Sequence, residues 1–163
     1  MTDPAIPAEA PSTSAPTIVV GVVGSPSSIA ALRWAVGLAP QLGATVEAVT
    51  SWTETSLIGD GWTVLPEAWD PDQVARETSA QALSDAFGDQ IPTLVRASID
   101  KLPPARALIE RGADATMIVV GSRGRGGFAG LLLGSVSSAC TQHAQCPVLV
   151  VKGDDVPPFA PPA

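Results

Sequence analysis

The sequence predicts an α/β domain, a parallel sheet carrying helices on both faces. Three observations predict it. Continuous apolar, β-branched runs stand at Ile18–Val23, Met117–Val120 and Pro147–Val151. Strands buried on both faces read this way. Segments of helical periodicity alternate with such runs, which is the pattern of a parallel sheet. A glycine-rich stretch, Gly121 to Gly134, follows the second of these runs, Met117–Val120.

The elements follow in chain order. Ile18–Val23 is the first strand. Ser25 is a good helix N-cap and Pro26 fits the first helical position. Ile29, Leu32, Val36 and Ala39 then recur on one helical face, and Pro40 and Gly43 mark the end. Thr45–Ser51 is the second strand. Trp52–Asp70 is a long connection containing Gly59, Gly61 and Pro66. Its Trp62 and Trp69 can cover a ligand, but packing over the sheet edge is the preferred reading. Pro71 opens a second helix to Phe87. Thr93–Ser98 is the third strand, ending in a turn at Asp100-Lys101. Pro103–Arg111 is a short helix stopped by Gly112. Thr116–Val120 is the fourth strand. A helix from Ser135 to Gln142 and a strand Pro147–Val151 close the domain.

Right-handed crossovers restrict how these units wind. A reversal of winding after the third strand makes strands one and four neighbours. Their carboxyl ends then frame the crevice where open α/β sheets bind ligands. Val23-Gly24-Ser25 and the loop at Gly121 meet there.

Composition narrows the function. The chain has 163 residues, 45% of them hydrophobic and 15% charged, which suits one globular domain at residues 17–153. Residues 1–16 are rich in Ala, Pro, Ser and Thr and read as a disordered tail; the Pro-rich residues 154–163 read the same way. Nine Lys and Arg stand against sixteen Asp and Glu, a net charge of −7. A nucleic-acid binder needs a basic face, so DNA and RNA are excluded as partners. The start, Met-Thr-Asp-Pro, lacks the basic and apolar regions of a signal peptide. No stretch approaches the roughly 18 apolar residues of a membrane span. The expectation is a cytoplasmic protein with no membrane partner. Cys140 and Cys146 are not at zinc spacing and read as ordinary thiols.

The loop from Gly121 to Ser135 carries the functional argument. Phosphate binding without a lysine hook needs exposed backbone N–H groups. Glycines supply them by accepting positive φ and letting a ligand approach the main chain. The helix starting at Ser135 adds unpaired N–H groups and a positive dipole end. Ser137 and Ser138 add hydroxyls. Arg123 and Arg125 are two basic residues within this loop of an acidic chain; each also reads as a solvated surface charge. The chain has no Gly-x4-Gly-Lys-Ser/Thr, so it is not a Walker-type NTPase. Gly124–Ala129 fits Gly-x-Gly-x-x-Gly/Ala, but it follows the fourth strand and leaves too little chain for a dinucleotide unit.

On these residues the chain resembles the universal stress protein family. That family's signature is Gly-x2-Gly-x9-Gly-Ser/Thr, and Gly121, Gly124, Gly134 and Ser135 match every spacing. Ile118–Gly124, Leu131–Val136, Cys146–Val151 and the opening Ile18–Ala35 match the surrounding pattern. The middle, with Trp52, looks most like actinobacterial members. The resemblance implies an open, Rossmann-like five-stranded parallel sheet of order 3-2-1-4-5, and a homodimer formed through Pro147–Val151. It implies ATP or another adenine nucleotide as ligand, with Mg²⁺ as companion ion, bound between strands one and four. Ribose and phosphate contacts would fall at Gly121, Gly124, Gly134, Ser135, Val136 and Ser137; the loop cation Arg123 is a further candidate nucleotide contact on its own position and charge. Val49 and Val120 would lie near the adenine, with Gly21, Val22 and Val23 at the end of strand one. The family usually places Asp where this chain has Val23, so a hydrogen bond to base or ribose is missing here. That leaves two readings: a nucleotide-binding stress regulator, or an interaction module that has lost the nucleotide. No general base is placed to activate water, and the lone His143 reads as structural. The chain is therefore expected to be no enzyme; a slow ATPase would depend on the loop arginines.

Overall fold

The computed structural model describes residues 15–53, 70–124, 130, 132–153 and 157–158. Trp62, Trp69 and Arg125 lie outside them, as do nearly all residues of the two expected tails.

Five strands form one parallel sheet. They are β1 (Thr17–Gly21), β2 (Thr45–Ser51), β3 (Val95–Asp100), β4 (Met117–Gly121) and β5 (Val148–Val151), in the order β3-β2-β1-β4-β5. The helices are α1 (Pro26–Leu42), α2 (Pro71–Phe87), α3 (Pro104–Arg111) and α4 (Ser135–His143), with a 3₁₀ turn at Gly112–Asp114. The expected fold class and order are those observed.

Alternation along the central strands splits the core in two. Ile18, Val20 and Val22 face one side, where α1 and α2 cover them with Val46, Ala48, Val119 and Val151. Val19 faces the other, under Leu108 of α3 and Cys140 of α4, with Val49, Ile118 and Val120. Ile18, Val19, Val20, Ile118 and Val119 are fully buried. Helices on both faces explain why these strands read as unbroken apolar runs rather than alternating ones.

Two strands differ from expectation by two residues, each for a local reason; α1 ends at Gly43 as expected, and the other ends agree to within one residue. β1 ends at Gly21, because the chain must turn at Gly24, with φ 72°, to reach the Ser25 cap. The third strand is Val95–Asp100 rather than Thr93–Ser98. The Val95 amide donates to Pro92 O at 3.0 Å, so a turn occupies Thr93 and Leu94. Pro40 lies inside α1, which runs on to Leu42 and ends in the left-handed conformation of Gly43. Pro40 is exposed in the last turn, where its absent N–H costs only one helical bond.

α3 is tied to the sheet by charge. Arg111 at its end pairs with Glu47 of β2 and, at 3.0 Å, with Asp100 of β3. Ser98 also donates to Glu47 at 2.9 Å. Sequence reading gave no hint of this network, because its members are far apart in the chain. They meet only once β2 and β3 are in register, Glu47 beside Arg96 and Ser51 beside Asp100.

Candidate functional site

β1 and β4 are parallel neighbours, pairing Ile18 with Met117 through Val20 with Val119. The winding reverses between them. The chain leaving β1 (Val22–Ser25) and the chain leaving β4 (Ser122–Gly124) emerge together at the carboxyl edge, the position of ligand crevices in open α/β sheets.

Gly121 makes the closest approach. A Cβ there would lie 2.5 Å from Ser27 Oγ, 2.7 Å from Ser27 C and 2.8 Å from Ser28 N. The first motif glycine is therefore required by the packing of α1. Gly124 has open space around its Cβ position, and a Cβ on Gly134 would make only ordinary contacts, 3.5 Å to Ser122 O and 3.7 Å to Gly124 N. None of the three has positive φ; the loop's described glycine that does is Gly130, at 110°. The expectation that these glycines serve through positive φ is thus corrected for Gly121, Gly124 and Gly134. What they provide is the absence of a side chain.

The loop after β4 is held on both sides. Ser122 N donates to Val151 O at 2.7 Å. Ser122 O accepts from Gly134 N at 2.8 Å and from Ser137 Oγ at 3.2 Å. Arg123 O accepts from Ser27 Oγ at 2.5 Å and Ser25 Oγ at 3.2 Å. Ser25 and Ser27 thus bind the loop, a role the sequence did not reveal. The available clue was a serine-rich helix start facing the glycine loop across the topological switch.

α4 begins at Gly134, with no side-chain cap. Its first-turn amides, at Ser135, Val136 and Ser137, have no partner within the helix. Together with the helix dipole they favour an anion. The Ser137 hydroxyl does not join them: it is 2% exposed and donates back to Ser122 O and Gly134 O. Ser135 is exposed.

On the strand-one side Val22 is buried, while Gly21, Val23 and Gly24 are partly exposed. The Val22 amide donates to Val49 O at 2.9 Å, and the Val23 amide reaches Ser28 Oγ at 3.5 Å. A Cβ on Gly21 would lie 2.8 Å from Leu108 Cδ1. The uncapped backbone at the start of α4 suits an anion, whereas Val49 and Val120, 2% and 3% exposed, are buried in one cluster with Leu108 and Cys140.

On the α1 side of the loop lies a cavity of about 380 Å³. Of the expected site residues, Arg123 and Gly124 line it, with Ser25, Ser27, Leu132 and Lys152. Lys152 directly follows β5, which is why it reaches the carboxyl edge; its position after the last apolar run was the signal for it. Further along that edge, Trp52 Nε1 donates to Asp72 Oδ1 at 2.8 Å, and Lys101 pairs with Asp72 at 3.2 Å while lying 5.4 Å over the Trp52 ring. The Trp52 indole and then the Lys101 ammonium hold the Asp72 carboxyl below the usual range. His143 sits at the other end of α4 from the loop. Among the described residues no group of three or more His, Cys, Asp or Glu could hold a metal, and no helix is long and apolar enough to cross a membrane.

Known proteins share this architecture. The profile of the Universal stress protein family matches residues 15–152. A universal stress protein of Mycolicibacterium smegmatis is 35% identical over 136 residues, covering 83% of this chain and 45% of that protein. One from Mycobacterium tuberculosis is 34% identical over 140 residues, with the same two coverages. The chain thus spans less than half the length of these relatives. Among solved structures, the universal stress protein UspA of Lactobacillus plantarum superposes with TM-score 0.61 at 20% identity, covering 86% of this chain and 99% of that one. A universal stress protein solved in complex with cAMP superposes at 0.56 and 27% identity, covering 85% and 98%. With the glycine spacing, the strand order and these matches in agreement, the chain belongs to the universal stress protein family.

Proposed function

We propose that this chain is an ATP-binding regulatory protein of the stress response, acting through ligand-dependent interaction rather than catalysis. The observation that carries this reading is the cluster of uncapped first-turn amides of α4 next to the bare backbone of Gly124 and Gly134. In the proposed complex the phosphates lie against Gly124, Gly134, Ser135, Val136 and Ser137, with Arg123 contributing charge and Mg²⁺ accompanying the phosphates. Gly121 supports the loop. Gly21, Val22, Val23, Val49 and Val120 form the base side. The cAMP complex of a relative 27% identical supports an adenine nucleotide as the ligand class.

A second reading is a dimeric interaction module without nucleotide. The burial of Val49 and Val120 and the apolar Val23 favour it. In both readings two chains pair through Pro147–Val151. β5 is an edge of the sheet, and its Val148, Leu149 and Val150 are only half-buried. An edge strand presents a row of unpaired N–H and C=O groups. In both readings the protein works in the cytoplasm.

Isothermal titration with ATP and Mg²⁺ separates the two. Saturable heat supports the nucleotide reading; no heat and no thermal shift at millimolar ATP supports the module. If Ser135→Ala leaves any observed phosphate release unchanged, an ATPase at this site is ruled out.

A further inference from the structure

The peptide joining Arg123 to Gly124 is gripped from the α1 side. Ser27 Oγ donates to Arg123 O at 2.5 Å, and Ser25 Oγ donates to the same oxygen at 3.2 Å. The described peptides are trans. In a planar trans peptide the N–H points opposite to the C=O. The Gly124 N–H is therefore directed away from α1. One residue earlier the direction is reversed: Ser122 O points to Gly134 N and Ser137 Oγ, so the Arg123 N–H is turned away from α4. The Ser122 N–H is already spent on Val151 O. Of these three loop amides, only Gly124's has both a direction away from α1 and a place beside the start of α4. A Cβ on Gly134 would sit 3.7 Å from Gly124 N, so the missing side chain leaves that nitrogen uncovered.

We propose that Ser27, assisted by Ser25, is a positioning residue for the anion site. By holding the Arg123 carbonyl, it keeps the Gly124 N–H aimed alongside the first-turn amides of α4, where it binds a phosphate oxygen of the nucleotide. Its part in binding rests on the nucleotide reading above. Without the serine hydroxyls this peptide is free to turn, and a carbonyl oxygen in the same place repels an anion. Ser25 also caps α1 by accepting from the Ser28 amide at 3.2 Å, so its removal confounds loop and helix. Ser27 is not the cap and gives the cleaner test.

The experiment compares the full chain with its Ser27→Ala variant by two measurements. The first is ATP affinity by calorimetry. The second is the carbonyl ¹³C resonance of Arg123 in the ligand-free protein, which a purely structural loss elsewhere in α1 does not move. The expected result is about tenfold weaker ATP binding, the scale of one charge-assisted hydrogen bond, with an upfield shift of the Arg123 carbonyl. An unmoved resonance overturns the clamp. A moved resonance with unchanged affinity overturns its role in binding. If the parent protein binds no nucleotide, the functional reading fails together with the binding role, and the carbonyl resonance alone still decides the clamp.

Discussion

Gly121 meets Ser27 across the β4–α1 junction with no room for a side chain: a Cβ on the glycine would fall 2.5 Å from the serine hydroxyl and 2.7 Å from its carbonyl carbon. Backbone cannot yield as a flexible side chain does. Gly121→Ala should therefore destabilise the fold by about 1–3 kcal/mol, the scale of overpacking. Thermal unfolding is the check, and a melting temperature several degrees lower is expected. A melting temperature within about one degree of the parent would show that α1 can shift freely.

Gly134→Ala should behave in the opposite way. Its Cβ makes only ordinary contacts, and its φ of −77° suits any residue. Replacing glycine by alanine at an N-cap costs on the order of 0.5–1 kcal/mol. The same Cβ partly covers Gly124 N, so ATP affinity should fall about tenfold. Titration and melting on one sample separate the two effects. Equal behaviour of the two alanine variants would contradict the division of labour among the motif glycines.

How much of this was legible in the sequence depends on range. The doubly covered strands and the switch point could be read directly, because continuous runs such as Ile18–Val20 and Ile118–Val120 are buried on both faces. The loop could be located by its glycines, but their separate roles could not be read. Gly121 serves α1, ninety-odd residues earlier in the chain, and spacing carries no record of that contact. The start of β3 was misplaced for a similar reason: Thr93 and Leu94 have strand-like side chains, but a turn to Pro92 claims them. The Arg111–Glu47–Asp100 network and the approach of Lys152 to the loop's cavity likewise depend on register and strand order.

Val23→Asp places a hydrogen-bonding carboxylate two residues beyond β1. A hydrogen bond to a charged group is worth roughly 1.5–3 kcal/mol, or about ten- to a hundredfold in affinity. Calorimetry should show tighter ATP binding by that factor. Unchanged affinity would mean that Val23 does not face the base or the ribose.

The Trp52–Asp72–Lys101 cluster should hold at neutral pH and fail in acid. Asp72 has a lowered pKa in the folded protein, so its contribution is present above the unfolded value and disappears as pH falls through the folded one, below about pH 4. The Trp52 indole N–H resonance should move in that acid range and be displaced at neutral pH in Asp72→Asn. An indole resonance insensitive to both changes would rule out the contact.

Burial pushes the Cys140 thiol up to about 11, with the neighbouring Cys146 adding to the rise, and burial raises Cys146 as well. At pH 8 the Cys140 thiolate fraction is then roughly one in a thousand, and iodoacetamide should modify the protein slowly. Cys146, which is partly exposed, should be labelled first. Rapid labelling of Cys140 in the native protein, followed by mass spectrometry of peptides, would show that α4 opens.

The most direct test of an anion seat between the β4 loop and α4 is an ATP titration followed by amide resonances in ¹⁵N-labelled protein. Gly124, Ser135, Val136 and Ser137 should shift together and saturate along one curve. Shifts confined to other surfaces, or none at millimolar ATP, would contradict the account.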